Sequence, residues 1–238
     1  MTRWLVQLNG SSIDLEELPY WFPDGEVHGL AEGKEVFLVG AAFETLTDPG
    51  HVRDRAAQAL DEFSAMISLL WGGFIRPELG NVFRERDDGI RQGFAALAGT
   101  SRGRSKARAT LSSGTNRATT PTQVQTLLMA SQVDDHLRGA VLLWADPTRT
   151  WPRLYRVLEE VELFLEQTVS KAKLCSAGER ERFTRSANTA EVAGKDARHA
   201  SGKFPPPKNP MTLAEATALV ASLLQAALRQ AATAGSAV

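Results

Sequence analysis

The sequence predicts an α+β fold, with an N-terminal antiparallel sheet and one packed helix followed by a C-terminal α-helical bundle. Three observations predict it. Short runs of β-branched and aromatic residues, separated by turn pairs, crowd the N-terminal part. Apolar residues at helical spacing, preceded by capping signals, fill the C-terminal part. Between them lies 99–120, "GTSRGRSKARATLSSGTNRATT", rich in Gly, Ser, Thr and cations, which reads as a loose third strand or as a linker. The domain boundary is placed near its end, giving an α+β domain over 1–118 and a helical bundle over 119–238.

The elements follow in order. "RWLVQL" is a short apolar strand ending at the turn pair Asn9–Gly10. "EVHGL" and "EVFLVGAAF" carry strand-type residues, with "AEGK" as the hairpin turn. Asp48 then caps a helix with Pro49 at its first position. Its single buried stripe is Ala56, Ala59, Leu60, Phe63, Met66, Ile67 and Leu70, and Gly72–Gly73 stops it. Asp88–Gly89 joins two further candidate strands. Thr120–Pro121–Thr122–Gln123 fits a capping box with Pro at the first helical position, leading to Val124, Leu127 and Leu128. Leu137, Val141 and Trp144 mark a second helix, closed by Pro147. A third starts near Thr150, shows Leu154, Leu158, Val161 and Leu165 on one side, and is expected to run to about Cys175. The polar stretch "AGERERFTRSANTAEVAG" follows as a helix. The last helix is the cleanest: Thr212 and Glu215 form a capping box, Met211 staples onto Ala216, and Leu213, Ala216, Val220, Leu223, Ala227 and Leu228 make its face.

Composition narrows function more by exclusion than by assignment. The chain of 238 residues is long enough for one large domain or two small ones, and 43% apolar residues can bury a real core. Its formal net charge is only -1, but the charge is unevenly spread. No acidic residue falls between Asp88 and Asp134, where Arg91, Arg102, Arg104, Lys106, Arg108 and Arg117 stand. A second cluster is Arg180, Arg182, Arg185, Lys195, Arg198, Lys203 and Lys208. Such clusters are footprints for anions, or solvated loop faces. Cys175 is the only cysteine, so there is no intrachain disulfide and no cysteine-based zinc site. The start, "MTRWLVQLNGSS", lacks a signal-peptide core, and no run of roughly 18 apolar residues occurs, so the expected location is cytoplasmic, with no membrane partner.

Common motifs are absent. There is no P-loop, no dinucleotide fingerprint, no H-E-x-x-H and no nucleophile elbow. His28, His51, His136 and His199 stand at no metal-ligand spacing, and no cofactor is implied. In "ELPYWFPDG" three consecutive aromatics lie between two prolines and cannot all point inward, so at least one is expected at the surface or at an interface.

The stretch "RSANTAEVAGKDARHASGKFPPPKNPM" concentrates the remaining chemistry: Arg185, Asn188, the adjacent Arg198–His199 pair, and Pro205 to Pro207 leading into the last helix. With the basic segment on one helix and the long closing helix, these residues resemble HEPN domains, small helical bundles of bacterial defence and toxin systems. The resemblance covers the C-terminal half. It implies a nucleic-acid-related bacterial protein whose helical domain binds or cleaves RNA as a homodimer. In that family an arginine followed by a polar residue stands a few positions ahead of the histidine. Here those positions are Val192, Ala193 and Gly194, and the nearest upstream candidate is Arg185. The candidate catalytic residues are therefore His199, Arg198, Arg185 and Asn188, with Arg102, Arg104, Lys106 and Arg108 as candidate nucleic-acid contacts. A neutral imidazole between cations can accept a proton while guanidinium groups neutralise phosphate. The structural alternative gives His199 a carbonyl at a helix end, Arg198 an acid, and Asn188 a capping role. Whether the protein is an enzyme stays open at this level, a ribonuclease being the only activity implied. The other reading is a non-enzymatic interaction or scaffold protein with a dimerising bundle.

Overall fold

The computed structural model describes residues 3–94, 122–197 and 205–235. The chain is α+β: a five-stranded antiparallel sheet with its helices comes first, and helices follow. It divides into two compact units, Met1–Gln125 and Thr126–Val238.

In the first unit, β1 (Arg3–Asn9), β2 (His28–Glu32), β3 (Glu35–Val39), β4 (Glu78–Glu85) and β5 (Arg91–Phe94) pair in the order β2-β3-β1-β4-β5. The expected strand turns stand at Gly33 and Gly89, whose positive φ of 62° and 78° suits glycine. The expected helix is α2 (Pro49–Trp71), whose cap Asp48 accepts from the amides of Gly50 and His51 at 2.8 and 3.1 Å. A further helix, α1 (Ser12–Trp21), lies between β1 and β2 and packs on the same sheet. Its Pro19 sits near the C-terminal end, where the chain can accommodate it. Phe22 stacks on Phe63 of α2 at 3.8 Å, fastening the two helices together.

Alternation along β1 sorts the sheet into two faces. Val6 pairs with Leu38 and Val82, and Leu38 with Gly29, against which Leu18 and Pro19 of α1 lie. The opposite face has an apolar centre of Leu5, Phe37 and Val39, flanked by Leu30 and Phe83. Charged side chains extend over that face. Arg3 reaches Glu85 at 2.6 Å and Glu32 at 3.2 Å, while Arg91 reaches Glu32 at 2.6 Å and Glu85 at 3.2 Å. The Arg91 guanidinium stands 5.2 Å above the Phe37 ring, so this arginine lies over part of that buried apolar centre. Burial alone would raise the Glu85 carboxyl, yet Arg3 and Arg91 hold it below the usual range.

The second unit centres on α5 (Trp151–Phe164), which packs against α4 (Asp135–Ala145), α6 (Ala177–Asn188) and α8 (Leu213–Gly235). Leu154, Leu158 and Val161 of the expected face of α5, together with Val157, are buried against a core that includes Leu137, Val141, Phe183, Val220, Leu224 and Leu228. Fully burying one such side chain contributes roughly 1.5–3 kcal/mol. Three boundaries differ from expectation. The helix α3 (Gln123–Ser131) spans the division between the units, and its capping box is Thr122 with Gln125, two positions later than the sequence suggested. The helix α5 ends at Phe164 because Glu166 and Lys173 take left-handed φ values of 52° and 61°, turning the chain before Cys175. The polar stretch breaks after Asn188 into the short α7 (Ala190–Ala193) and a 3-10 turn at Gly194–Asp196. Its break coincides with Thr189, whose hydroxyl donates back to the Arg185 carbonyl at 2.6 Å.

Candidate functional site

The helix α6 carries the part of the proposed site that lies within the described residues. It forms where the sequence places it, because Ser176 and Glu179 complete a reciprocal capping box at its start. Phe183 and Ala187 turn inward, leaving Arg182, Arg185 and Ser186 at i, i+3 and i+4 to share another face.

Each α6 arginine of the second basic cluster is engaged. Arg180 makes a two-pronged pair with Glu162 of α5, at 2.6 and 2.7 Å. Arg182 donates to the carbonyls of Asn209 and Pro210 at 2.7 and 3.1 Å and to Glu215 at 2.9 Å. Arg185 donates to the carbonyls of Pro205 and Pro206 at 3.1 and 3.4 Å and pairs with Glu181 at 3.5 Å. Oδ1 of Asn188 is buried and has no hydrogen-bond partner among the described residues, so it does not accept from Arg185. The other two candidate catalytic residues, Arg198 and His199, lie outside the described residues. So do Arg102, Arg104, Lys106 and Arg108. Of the first basic cluster only Arg91 is described, and it belongs to the ion-paired face of the sheet.

Beside α6 a cleft of about 420 Å³ opens along α5. Trp151, Tyr155, Arg156 and Glu159 line one wall, and Lys195 and Asp196 of the 3-10 turn line the other. Phe183 supports the aromatic side, with its ring 6.1 Å from Trp151 and 6.0 Å from Tyr155. Among the described lining residues, Arg156 and Lys195 balance Glu159 and Asp196 in formal charge. A lining of that kind suits a ligand with an apolar body and both signs of charge better than it suits a bare polyanion. This wall is hard to read from the sequence because it lies beside the stronger apolar stripe of α5. The available signal was a second stripe of aromatic and charged residues beside it.

The first unit carries an aromatic group at the surface. In "YWF", Phe22 is buried, Trp21 is half-buried and stacks on Trp71 at 4.1 Å, and Tyr20 meets Trp21 edge-on at 4.5 Å. Tyr20 is 60% exposed, which answers the expectation that the three cannot all turn inward.

Burial pushes the Cys175 thiol up, away from the reactive thiolate form. Among the described residues no group of three or more His, Cys, Asp or Glu side chains could hold a metal ion. No helix among them is long and apolar enough to cross a membrane. Comparison of the chain with protein-family models, curated proteins and solved structures finds no match.

Proposed function

We propose that the protein is a non-enzymatic interaction protein whose helical unit recognises a partner protein. What carries this reading is the engagement of α6: Arg182 and Arg185 donate to carbonyls of the chain's own 205–210 segment, which leaves them poorly placed to act on a phosphate. The balanced charge of the described lining of the α5 cleft fits the same role, and the exposed aromatic group around Tyr20 gives the first unit a contact surface of its own. The test is single-turnover incubation with single-stranded RNA in excess protein from about pH 5 to about pH 8, the range in which histidine titrates. No cleavage is expected. Cleavage that disappears in Arg185→Ala and His199→Ala would overturn the proposal in favour of a ribonuclease.

A second reading has one observation of its own. The acid-free run from Gly89 to Val133 holds Arg102, Arg104, Lys106 and Arg108, a pattern that favours contact with the phosphates of RNA. In that reading the protein is a nucleic-acid-binding component of a bacterial defence or toxin system with a HEPN-like bundle. Its mark is affinity that falls steeply with salt.

A further inference from the structure

The segment 205–212 is held against α6 in the manner of a bound peptide. Prolines occupy 205, 206, 207 and 210, so the segment offers carbonyls while lacking amide donors at those positions. Arginine is the natural complement, since a guanidinium has five N–H donors and no acceptor. Four carbonyls are gripped in this way, those of Pro205 and Pro206 by Arg185 and those of Asn209 and Pro210 by Arg182. A hydroxyl reads the next position. Oγ of Ser186 accepts from the Met211 amide at 2.9 Å while donating to the Arg182 carbonyl at 2.8 Å. The Met211 side chain is then buried, an apolar anchor at the end of the run.

We infer that the Arg182–Arg185–Ser186 face of α6 is a recognition surface for proline-rich peptides ending in an apolar anchor, and that 205–211, which bends at Lys208–Asn209, is its resident ligand. A partner segment of the same chemistry displaces it. The inference rests on the interaction reading and gives that reading a ligand class. Proline supplies the reason such a segment competes well, because its ring fixes φ before binding and the segment loses less conformational freedom on docking. Tethering is the reason it binds weakly to the unmodified chain. The resident segment acts at an effective concentration on the order of mM, so the face is open in few molecules at a time.

The probe is a synthetic peptide with the sequence of 205–212, labelled at its N-terminus. Its affinity is compared between the parent chain and the triple variant Pro205→Gly, Pro206→Gly, Pro210→Gly, in which the undocked segment gains entropy and the face is freed more often. Binding is expected to tighten by about tenfold or more in the variant. Adding Arg182→Ala and Arg185→Ala to that variant should abolish it. In the parent, rising peptide concentration should speed hydrogen exchange at the Met211 amide, a readout that does not depend on the variant folding. No binding by the variant, binding indifferent to the two arginines, or an unaffected Met211 amide would overturn the inference. RNA cleavage by the parent would overturn the interaction reading instead, leaving the peptide result to be judged by itself.

Discussion

At Gly29 the sheet and α1 meet with no room for a side chain. A Cβ there would stand 2.6 Å from the Pro19 nitrogen and 2.8 Å from the Leu18 carbonyl carbon, both backbone atoms that cannot rotate away. Gly29→Ala should therefore destabilise the protein by about 1–3 kcal/mol, as overpacking does, read as a lower midpoint in urea unfolding. Glu215 makes a different kind of prediction. The amide of Thr212 bonds its carboxylate, Arg182 and the Thr212 hydroxyl add to that, and together they lower its pKa to about 2. A depressed carboxyl contributes stability that is fully present above its ordinary value near 4.5 and is lost as the pH falls toward about 2. The stability difference between the parent and Glu215→Gln should accordingly be constant near neutral pH and shrink to nothing across that acid window. A difference that persists below it would show that Gln is poor at the site for reasons unrelated to charge.

At the scale of elements, legibility followed how locally each signal acts. The helix α2 was readable because its stripe, its cap and its glycine stop are all local signals, though Leu70 of the expected stripe is only half-buried and Leu69, Glu62, Ser64 and Ala65 are buried as well. The last helix was readable for the same reason, though Leu213 of its expected face is 37% exposed and Leu224 is buried instead. The helix α1 was not, because Pro19 breaks its local pattern and its stability comes from packing Leu18 and Phe22 against residues far along the chain. The end of α5 was missed because the left-handed turns at Glu166 and Lys173 carry no glycine to announce them. Within the candidate site, the basic character of α6 was plain, but its acceptors were not. Arg182 and Arg185 find theirs at Pro205, Pro206, Asn209 and Pro210, and a sequence does not show which donor meets which carbonyl across a fold. The bidentate pair of Arg180 with Glu162 was hidden likewise, since it joins α6 to a residue of α5. Breaking it by Glu162→Gln should cost more than an exposed surface pair. The same carboxylate accepts the Val169 amide at 3.0 Å, so the loss is expected at about 1–3 kcal/mol in thermal or urea unfolding.

For the whole molecule, the decisive quantity is where charge is already satisfied. The net charge of -1 conceals a contrast between cations engaged with the chain and cations in a run without acids. Arg3, Arg91, Arg180, Arg182 and Arg185 each pair with a carboxylate of the protein. Recruiting any of them to a phosphate exchanges an existing pair for the new one, which reduces the net gain. Arg102, Arg104, Lys106 and Arg108 have no acid near them in sequence, the nearest being Asp88 and Asp134. If the protein binds RNA, those four should carry the salt dependence. For single strands each phosphate neutralised contributes about 0.7 to the slope of log affinity against log salt. Replacing all four by Ser should flatten the slope by as much as about 3, the product of four contacts and that coefficient. Arg182→Ala and Arg185→Ala should leave it nearly unchanged. The measurement is a salt titration of binding to a labelled single-stranded RNA by the parent, the fourfold variant and the double variant. A slope that falls with the α6 pair rather than with the acid-free run would place the phosphate contacts on α6 and return the arginines there to a nucleic-acid role. Salt-insensitive binding, or none, would remove the second reading and leave the interaction protein.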